Sequence, residues 1–189
     1  MMGFTLSTNP KRNDDYIFLI CGESGSGKSS LEERLSLEYG CRRLRSYTTR
    51  PPRYEGENSH TFVTDEEYDK LIDKCAETVF SGYRYCATQQ QVDNADTYVI
   101  DPDGIINMAT RYRGKKHFVV IYITASVFRR FWRMVKRGDG IKGALKRIIH
   151  DRKAFKDVKH LYNIKINNRK FNESLRHLNW EIHQVTKWL

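Results

Sequence analysis

Residues 16–29 read Tyr-Ile-Phe-Leu-Ile-Cys-Gly-Glu-Ser-Gly-Ser-Gly-Lys-Ser. The opening Tyr16–Cys21 is a continuous apolar run, the pattern of a strand buried on both faces of a parallel sheet. Gly22 to Ser29 then fits G-x4-G-K-[ST] in full, and Leu31–Tyr39 has the composition of a helix. Strand, glycine loop and helix in that order give the motif its physical meaning. Glycines let backbone N–H groups curl around phosphate oxygens, and the positive end of the helix dipole adds to the field. A lysine at position 28 reaches the outer phosphates, and a hydroxyl at Ser29 can ligate Mg²⁺. The stretch Gly22, Glu23, Ser24, Gly25, Ser26, Gly27, Lys28, Ser29 and Ser30 therefore reads as a nucleoside triphosphate site. The alternative, an incidental Gly/Ser turn before a helix, leaves the Lys-Ser pair unexplained.

Working outward, Thr97–Ile100 is a second buried strand ending on Asp101, Phe118–Ile123 a third, and Ile164–Ile166 a shorter fourth. Thr64-Asp-Glu-Glu67 carries the capping-box pattern and opens a helix toward Ile72; Thr88-Gln-Gln-Gln91 repeats the device. Leu175, Leu178, Ile182, Val185 and Leu189 give the last segment one apolar stripe. Apolar strands alternating with helices predict an α/β fold around a parallel sheet flanked by helices. Residues 47–95 break the rhythm with short strands and polar turns and read as an inserted lobe.

Composition narrows the function. A chain of 189 residues and 22.3 kDa is long enough for one domain that buries roughly 70% of its unfolded surface. Its apolar runs fall far short of the ~20 residues that span a bilayer. The first fifteen residues are polar and frayed in expectation and lack the apolar stretch of a secretory signal, so the cytoplasm is the expected compartment. Cys21, Cys41, Cys75 and Cys86 show no CxxC spacing and read as buried thiols. The net charge of +10 is unevenly spread: residues 1–100 carry 12 Lys/Arg against 16 Asp/Glu, and residues 101–189 carry 21 against 7. Such a field implies an anionic partner. Nucleic acid is one candidate, but no aromatic-basic motif of the RRM type accompanies the charge. Nothing in the sequence sets the oligomeric state.

After the loop comes Ser46-Tyr-Thr-Thr-Arg50-Pro-Pro-Arg53, then Gly56-Glu57 and His60-Thr-Phe-Val63. This run resembles the monophosphate-binding segment of guanylate kinases: Ser-x-x-Thr-Thr-Arg-x-Pro-Arg, Gly-Glu, then Tyr-x-Phe-Val. The likeness continues through Phe80–Tyr85, Val99–Gly104 and Arg133–Arg147, so it covers residues 16–189. It implies a nucleoside-monophosphate-kinase-like fold in one domain, 1–189. Its parts are a core (16–46, 96–126, 158–189), an acceptor-binding lobe (47–95) and a basic lid (127–157). It further implies transfer of the ATP γ-phosphoryl group to GMP with Mg²⁺, with these nucleotides as the expected partners. Arg50 and Arg53 match arginines that hold the acceptor phosphate, and guanidinium forks suit a dianion. Tyr85 matches a tyrosine on that phosphate, though by itself it reads equally as strand packing. Ser46 matches a base-reading serine and reads otherwise as a turn hydroxyl.

Asp101 ends a strand on the side of the glycine loop, where a carboxylate can order Mg²⁺ waters or hold the acceptor. Asp103 matches a second family carboxylate and can equally cap a helix beginning at Gly104. On a helix over Val127–Arg137, Phe128, Phe131, Trp132 and Val135 share one face while Arg130, Arg133 and Arg137 share the other. Around Lys142–Phe155 the expected buried stripe is Leu145, Ile148, Ile149 and Phe155, with Arg147 opposite. The residues alone describe solvated faces; the resemblance makes Arg133, Arg137 and Arg147 catalytic lid arginines, and Asn167, after the last strand, a nucleotide contact. The sequence departs from the family where bases are read. His60 replaces a tyrosine, Ala87 replaces a hydroxyl residue with Thr88 beside it, and the guanine-accepting glutamate falls on Ala76, with Glu77 one residue away. Gly56-Glu-Asn-Ser-His60 also approaches the Gly-Glu-Asn-His stretch of ribose 1,5-bisphosphate phosphokinases, which makes another small phosphate ester the alternative acceptor. A non-catalytic guanylate-kinase-like binding module is the alternative of another class, and such modules typically lose the glycine loop that is complete here.

Overall fold

The computed structural model describes residues 15–80 and 82–187. The expected frayed N-terminal segment, Asp15 apart, lies outside the described residues, as do Ser81 and Leu189. In chain order β1 (Tyr16–Cys21) leads through the glycine loop to α1 (Lys28–Tyr39). The lobe follows with β2 (Tyr47–Thr48), β3 (Thr61–Phe62), α2 (Asp65–Lys70), β4 (Lys74–Phe80), β5 (Tyr83–Thr88) and α3 (Gln89–Asp93). The chain then returns through β6 (Thr97–Val99), α4 (Pro102–Arg111) and β7 (His117–Thr124) to the lid helices α5 (Val127–Lys136) and α6 (Gly140–Ala154). A 3₁₀ turn at Val158–His160, β8 (Ile164–Asn167) and α7 (Phe171–Lys187) complete it.

The core sheet has the order β6-β1-β7-β8, every pair parallel. Alternation along β1 explains its unbroken apolar sequence. Ile17, Leu19 and Cys21 pack to one side with Tyr98, Met108 and Tyr122, while Phe18 and Ile20 pack to the other with Leu31, Leu35, Ile123, Ile166 and Leu178. Successive connections place β6 on one side of β1 and β7 on the other, the divergence that opens a ligand crevice at the carboxyl ends of parallel strands. The lobe is a separate sheet, β3-β2-β5-β4, in which β2 runs parallel to β3 and antiparallel to β5. Its helix α2 starts on the expected box, with Thr64 Oγ1 accepting from Glu67 N–H (3.1 Å) and Glu67 Oε2 from Thr64 N–H (2.8 Å). It ends at Lys70, with Leu71 already extended, so Ile72 stays outside it. Among the described residues no helix is long and apolar enough to cross a membrane.

The lid reverses one expectation. The apolar face of α5 turns outward at Phe128 (72% exposed) and Trp132 (46%), whereas Arg130 is 4% exposed. On α6, Leu145 and Ile149 are exposed and the inward residues are Ala144, Ile148 and Asp151. Met134, Ala144 and Ile148 form the small core between the two helices, with Phe131 and Val135 against it. The cause is the surface these helices cover. They lie on the phosphate loop, whose carbonyls and Glu23 side chain require donors, and a paired buried charge meets that need where an apolar face would strand it.

Candidate active site

The glycine loop is shaped by what stands behind it. Gly27 caps α1 at φ 94°, and a Cβ there would lie 2.4 Å from Asn168 Nδ2; Gly25, at φ 75°, would bring one to 2.6 Å from the Arg130 carbonyl oxygen. Only glycine fits these two positions. Ser26 N–H donates to the Glu23 carbonyl (3.1 Å), closing the turn. Ser29 and Ser30 are exposed in the first turn of α1 and Lys28 is half-buried beside them. Burial lowers the Lys28 pKa; Asp151 opposes that shift, and Arg137 and Arg147 add to it. The lysine therefore lies within electrostatic range of both lid arginines.

Those arginines share one carboxylate between the two lid helices. Arg137 Nη2 donates to Asp139 Oδ2 (2.7 Å), and Arg147 Nε stands 3.4 Å from the same oxygen. Arg53 of the lobe lies within the electrostatic range of Arg50, Arg147 and Arg137. Lys28 of the loop and Arg53 of the lobe thus both lie within electrostatic range of Arg137 and Arg147. Arg133 braces the loop: Nη1 donates to the Gly25 and Ser26 carbonyls (3.3 and 3.0 Å) and Nη2 to the Asn168 carbonyl (3.2 Å). Asn167 and its neighbour Asn168 differ in placement. Asn167 is the last residue of β8 and exposed, while the fully buried Asn168 donates from Nδ2 to the Ser26 carbonyl at 2.8 Å.

In the lobe, Arg50 donates from Nη2 to Glu57 Oε1 (2.8 Å) and from Nη1 to Glu57 Oε2 (3.2 Å), and Arg53 N–H donates to Glu57 Oε2 (2.6 Å). Arg50 Nε is buried and unpartnered. The Arg53 side chain remains 59% exposed. Ser46 Oγ meets His60 Nδ1 at 2.9 Å, and the Tyr85 ring stands edge-on to His60 at 5.4 Å. Burial, with Arg50 and Arg53 nearby, pushes the His60 pKa down to about 4, so the ring is neutral near pH 7. Asp101 Oδ1 caps α4 by accepting from Gly104 N–H at 2.6 Å, and its charged neighbours include Asp103 and Lys28. That corrects the helix start: α4 begins at Pro102, so Asp103 sits exposed in its first turn and is no cap. At the base-reading positions Ala76 and Ala87 are buried, and Glu77 is paired with Arg111.

Five residues were given no site role from the sequence: Glu57, which clamps both arginines, Asp139, which pairs with the lid arginines, Asn168, and the Arg130–Asp151 pair. Glu57 carried a signal as part of the quoted Gly56-Glu57, and Arg130 as part of the polar face of its helix.

The family profile described as guanylate kinase matches residues 15–185 of this chain. The chain belongs to the guanylate kinase family. Guanylate kinases of Neisseria gonorrhoeae and of Neisseria meningitidis serogroups A and B are each 47% identical to it over 60 residues, which is 30% of this chain and 29% of each relative. The matched segment thus spans under a third of those relatives. The crystal structure of guanylate kinase from Anaplasma phagocytophilum superposes with a TM-score of 0.59 at 20% identity, covering 92% of this chain and 88% of the other. That likeness is one of fold.

Proposed function

We propose that this guanylate kinase family member transfers the γ-phosphoryl group of ATP to GMP. The observation that carries the reading is a complete glycine loop ahead of α1 together with the Arg50 and Arg53 cluster organised by Glu57, with Lys28 and Arg53 both in electrostatic range of Arg137 and Arg147. The triphosphate lies on Gly22–Ser30 and the acceptor phosphate on Arg50, Arg53 and Tyr85. The acceptor oxygen then attacks in line. No side-chain nucleophile is needed, because the catalysis is positioning and charge stabilisation. Lys28, Arg137 and Arg147 neutralise charge as the phosphoryl group moves.

Mg²⁺ fits this site through the exposed Ser29 hydroxyl and, by way of water, Asp101. Among the described residues no cluster of three or more His, Cys, Asp or Glu side chains gathers a metal unaided, in keeping with an ion held largely by substrate phosphates. When bound it supplies charge neutralisation at the phosphates. Among the described residues Cys21, Cys75 and Cys86 are buried thiols and Cys41 is half-buried, which suits a reducing compartment such as the cytoplasm.

A second reading, phosphorylation of another small phosphate ester such as ribose 1,5-bisphosphate, is favoured by one observation. The base-reading positions are apolar or already engaged, while the phosphate clamp is whole. Rates with ATP and each acceptor at equal concentration separate the two: GDP formation supports the first, and exclusive use of the sugar phosphate supports the second.

A further inference from the structure

Arg130 of α5 and Asp151 of α6 form a network with the outer arm of the phosphate loop that the chemistry above does not use. Arg130 donates from Nε to the Ser24 carbonyl (3.0 Å), from Nη1 to Glu23 Oε1 (3.0 Å) and from Nη2 to Asp151 Oδ2 (2.5 Å). Asp151 Oδ2 accepts from Ser24 N–H (2.8 Å) and Oδ1 from Ser24 Oγ (3.2 Å). The Arg130 and Asp151 side chains are 4% and 8% exposed, and Glu23 is 17% exposed. The Arg130 backbone closes over Gly25 so tightly that a Cβ there has no room. Every donor nitrogen of the guanidinium is spent, and both loop residues are gripped from the lid side.

Two features give this network a purpose beyond stability. Replacing a buried ion cluster by apolar packing is often neutral or stabilising, so stability alone is weak cause for burying three charges. Each anchor also sits one helical turn from a basic residue of the lid: Arg130 from Arg133, and Asp151 from Arg147, spacings that put both side chains of each pair on one face. Fixing the anchors fixes the rotation of α5 and α6, and with it where Arg133 and Arg147 stand.

We propose that Arg130 and Asp151 are positioning residues for the donor, locking the loop arm Glu23–Gly25 to the lid so that the triphosphate site is formed before nucleotide arrives. The proposal rests on the donor half of the function given above and does not depend on which acceptor is phosphorylated. The network makes no hydrogen bond to an acceptor residue, so its loss is expected to act chiefly on the donor.

The test is calorimetric binding of ATP and ADP without acceptor, together with the KM of each substrate and the unfolding midpoint. Asp151→Ala is expected to weaken donor binding by ~10- to 100-fold, the equivalent of one charge-assisted hydrogen bond, with the acceptor KM held within about twofold. Asp151→Asn, which still accepts from Ser24 N–H, is expected to recover part of that affinity. Because one removed partner leaves a buried charge unpaired, Arg130→Leu combined with Asp151→Ala serves as the folded control. It is expected to regain the unfolding midpoint but not the donor affinity. Donor affinity within about threefold of the parent in that double variant, or donor and acceptor KM rising together, overturns the proposal. Failure of the parent protein to bind either nucleotide overturns the donor reading and the proposal with it.

Discussion

Arg50 and Glu57 form a bidentate pair, 2.8 and 3.2 Å between their atoms, with side chains 8% and 2% exposed. The same carboxylate takes the Arg53 N–H at 2.6 Å, so one acid sets the spacing of both arginines proposed to hold the acceptor phosphate. Glu57→Ala is expected to destabilise the protein by ~3–5 kcal/mol, the usual consequence of stranding a buried charge. It should also raise the KM for GMP while the KM for ATP stays put. Denaturant unfolding and the two KM values check this; an unchanged GMP KM contradicts it.

Arg53 separates binding from folding. Its side chain is 59% exposed and reaches Glu57 only at 4.0 Å. Arg53→Ala should leave stability within about 0.5 kcal/mol of the parent, as surface changes do. Losing a guanidinium from a desolvated phosphate costs ~2–5 kcal/mol, so kcat/KM for the acceptor should fall by orders of magnitude. Turnover near the parent value would remove Arg53 from the site.

Acid should loosen the acceptor lobe in two stages. His60 is pushed from its ordinary 6.5 to about 4 by burial and by Arg50 and Arg53. A histidine held neutral in the fold loses its stabilising contribution as pH falls below its unfolded value, so the loss runs from pH 6.5 toward 4. Burial raises Glu57, but the hydrogen bonds from Arg50, Arg53 N–H and Ser59 outweigh it and hold the carboxyl at about 2, against an ordinary 4.5. Its contribution is present above pH 4.5 and is lost as pH falls toward 2. His60→Asn should abolish the first stage and keep the second. Unfolding free energies from pH 7 to 3 check it; identical curves for the parent and the variant contradict it.

The strands and the loop were legible because their signals are local. Apolar runs mark β1, β6, β7 and β8, the Lys-Ser ending marks the loop, and both boxes at Thr64 and Thr88 form with both of their hydrogen bonds. The rotation of the lid helices was not legible. Amphipathicity shows that α5 has two faces, but the inward one was chosen by loop carbonyls more than a hundred residues away in sequence. Asn168 was lost to Asn167 for a related reason. Two asparagines at a strand end differ only in which side of the sheet edge each faces, and that is settled by Ser26. Asp101 over Asp103 as the cap of α4 turns on Pro102, whose fixed φ suits the first helical position.

The account stands most directly on initial rates of ADP formation from ATP, with GMP, dGMP, AMP, UMP and ribose 1,5-bisphosphate supplied singly to the parent protein and to Lys28→Ala. GMP is expected to be the best acceptor, with weaker discrimination than a site that hydrogen-bonds the base at every edge, because Ala76 and Ala87 offer nothing to leave unpaired. Lys28→Ala should lose ~10²-fold or more in turnover at an unchanged unfolding midpoint, the cost of removing a preorganised charge from a transferring phosphoryl group. Use of the sugar phosphate without GMP, or equal turnover by Lys28→Ala, would contradict the account.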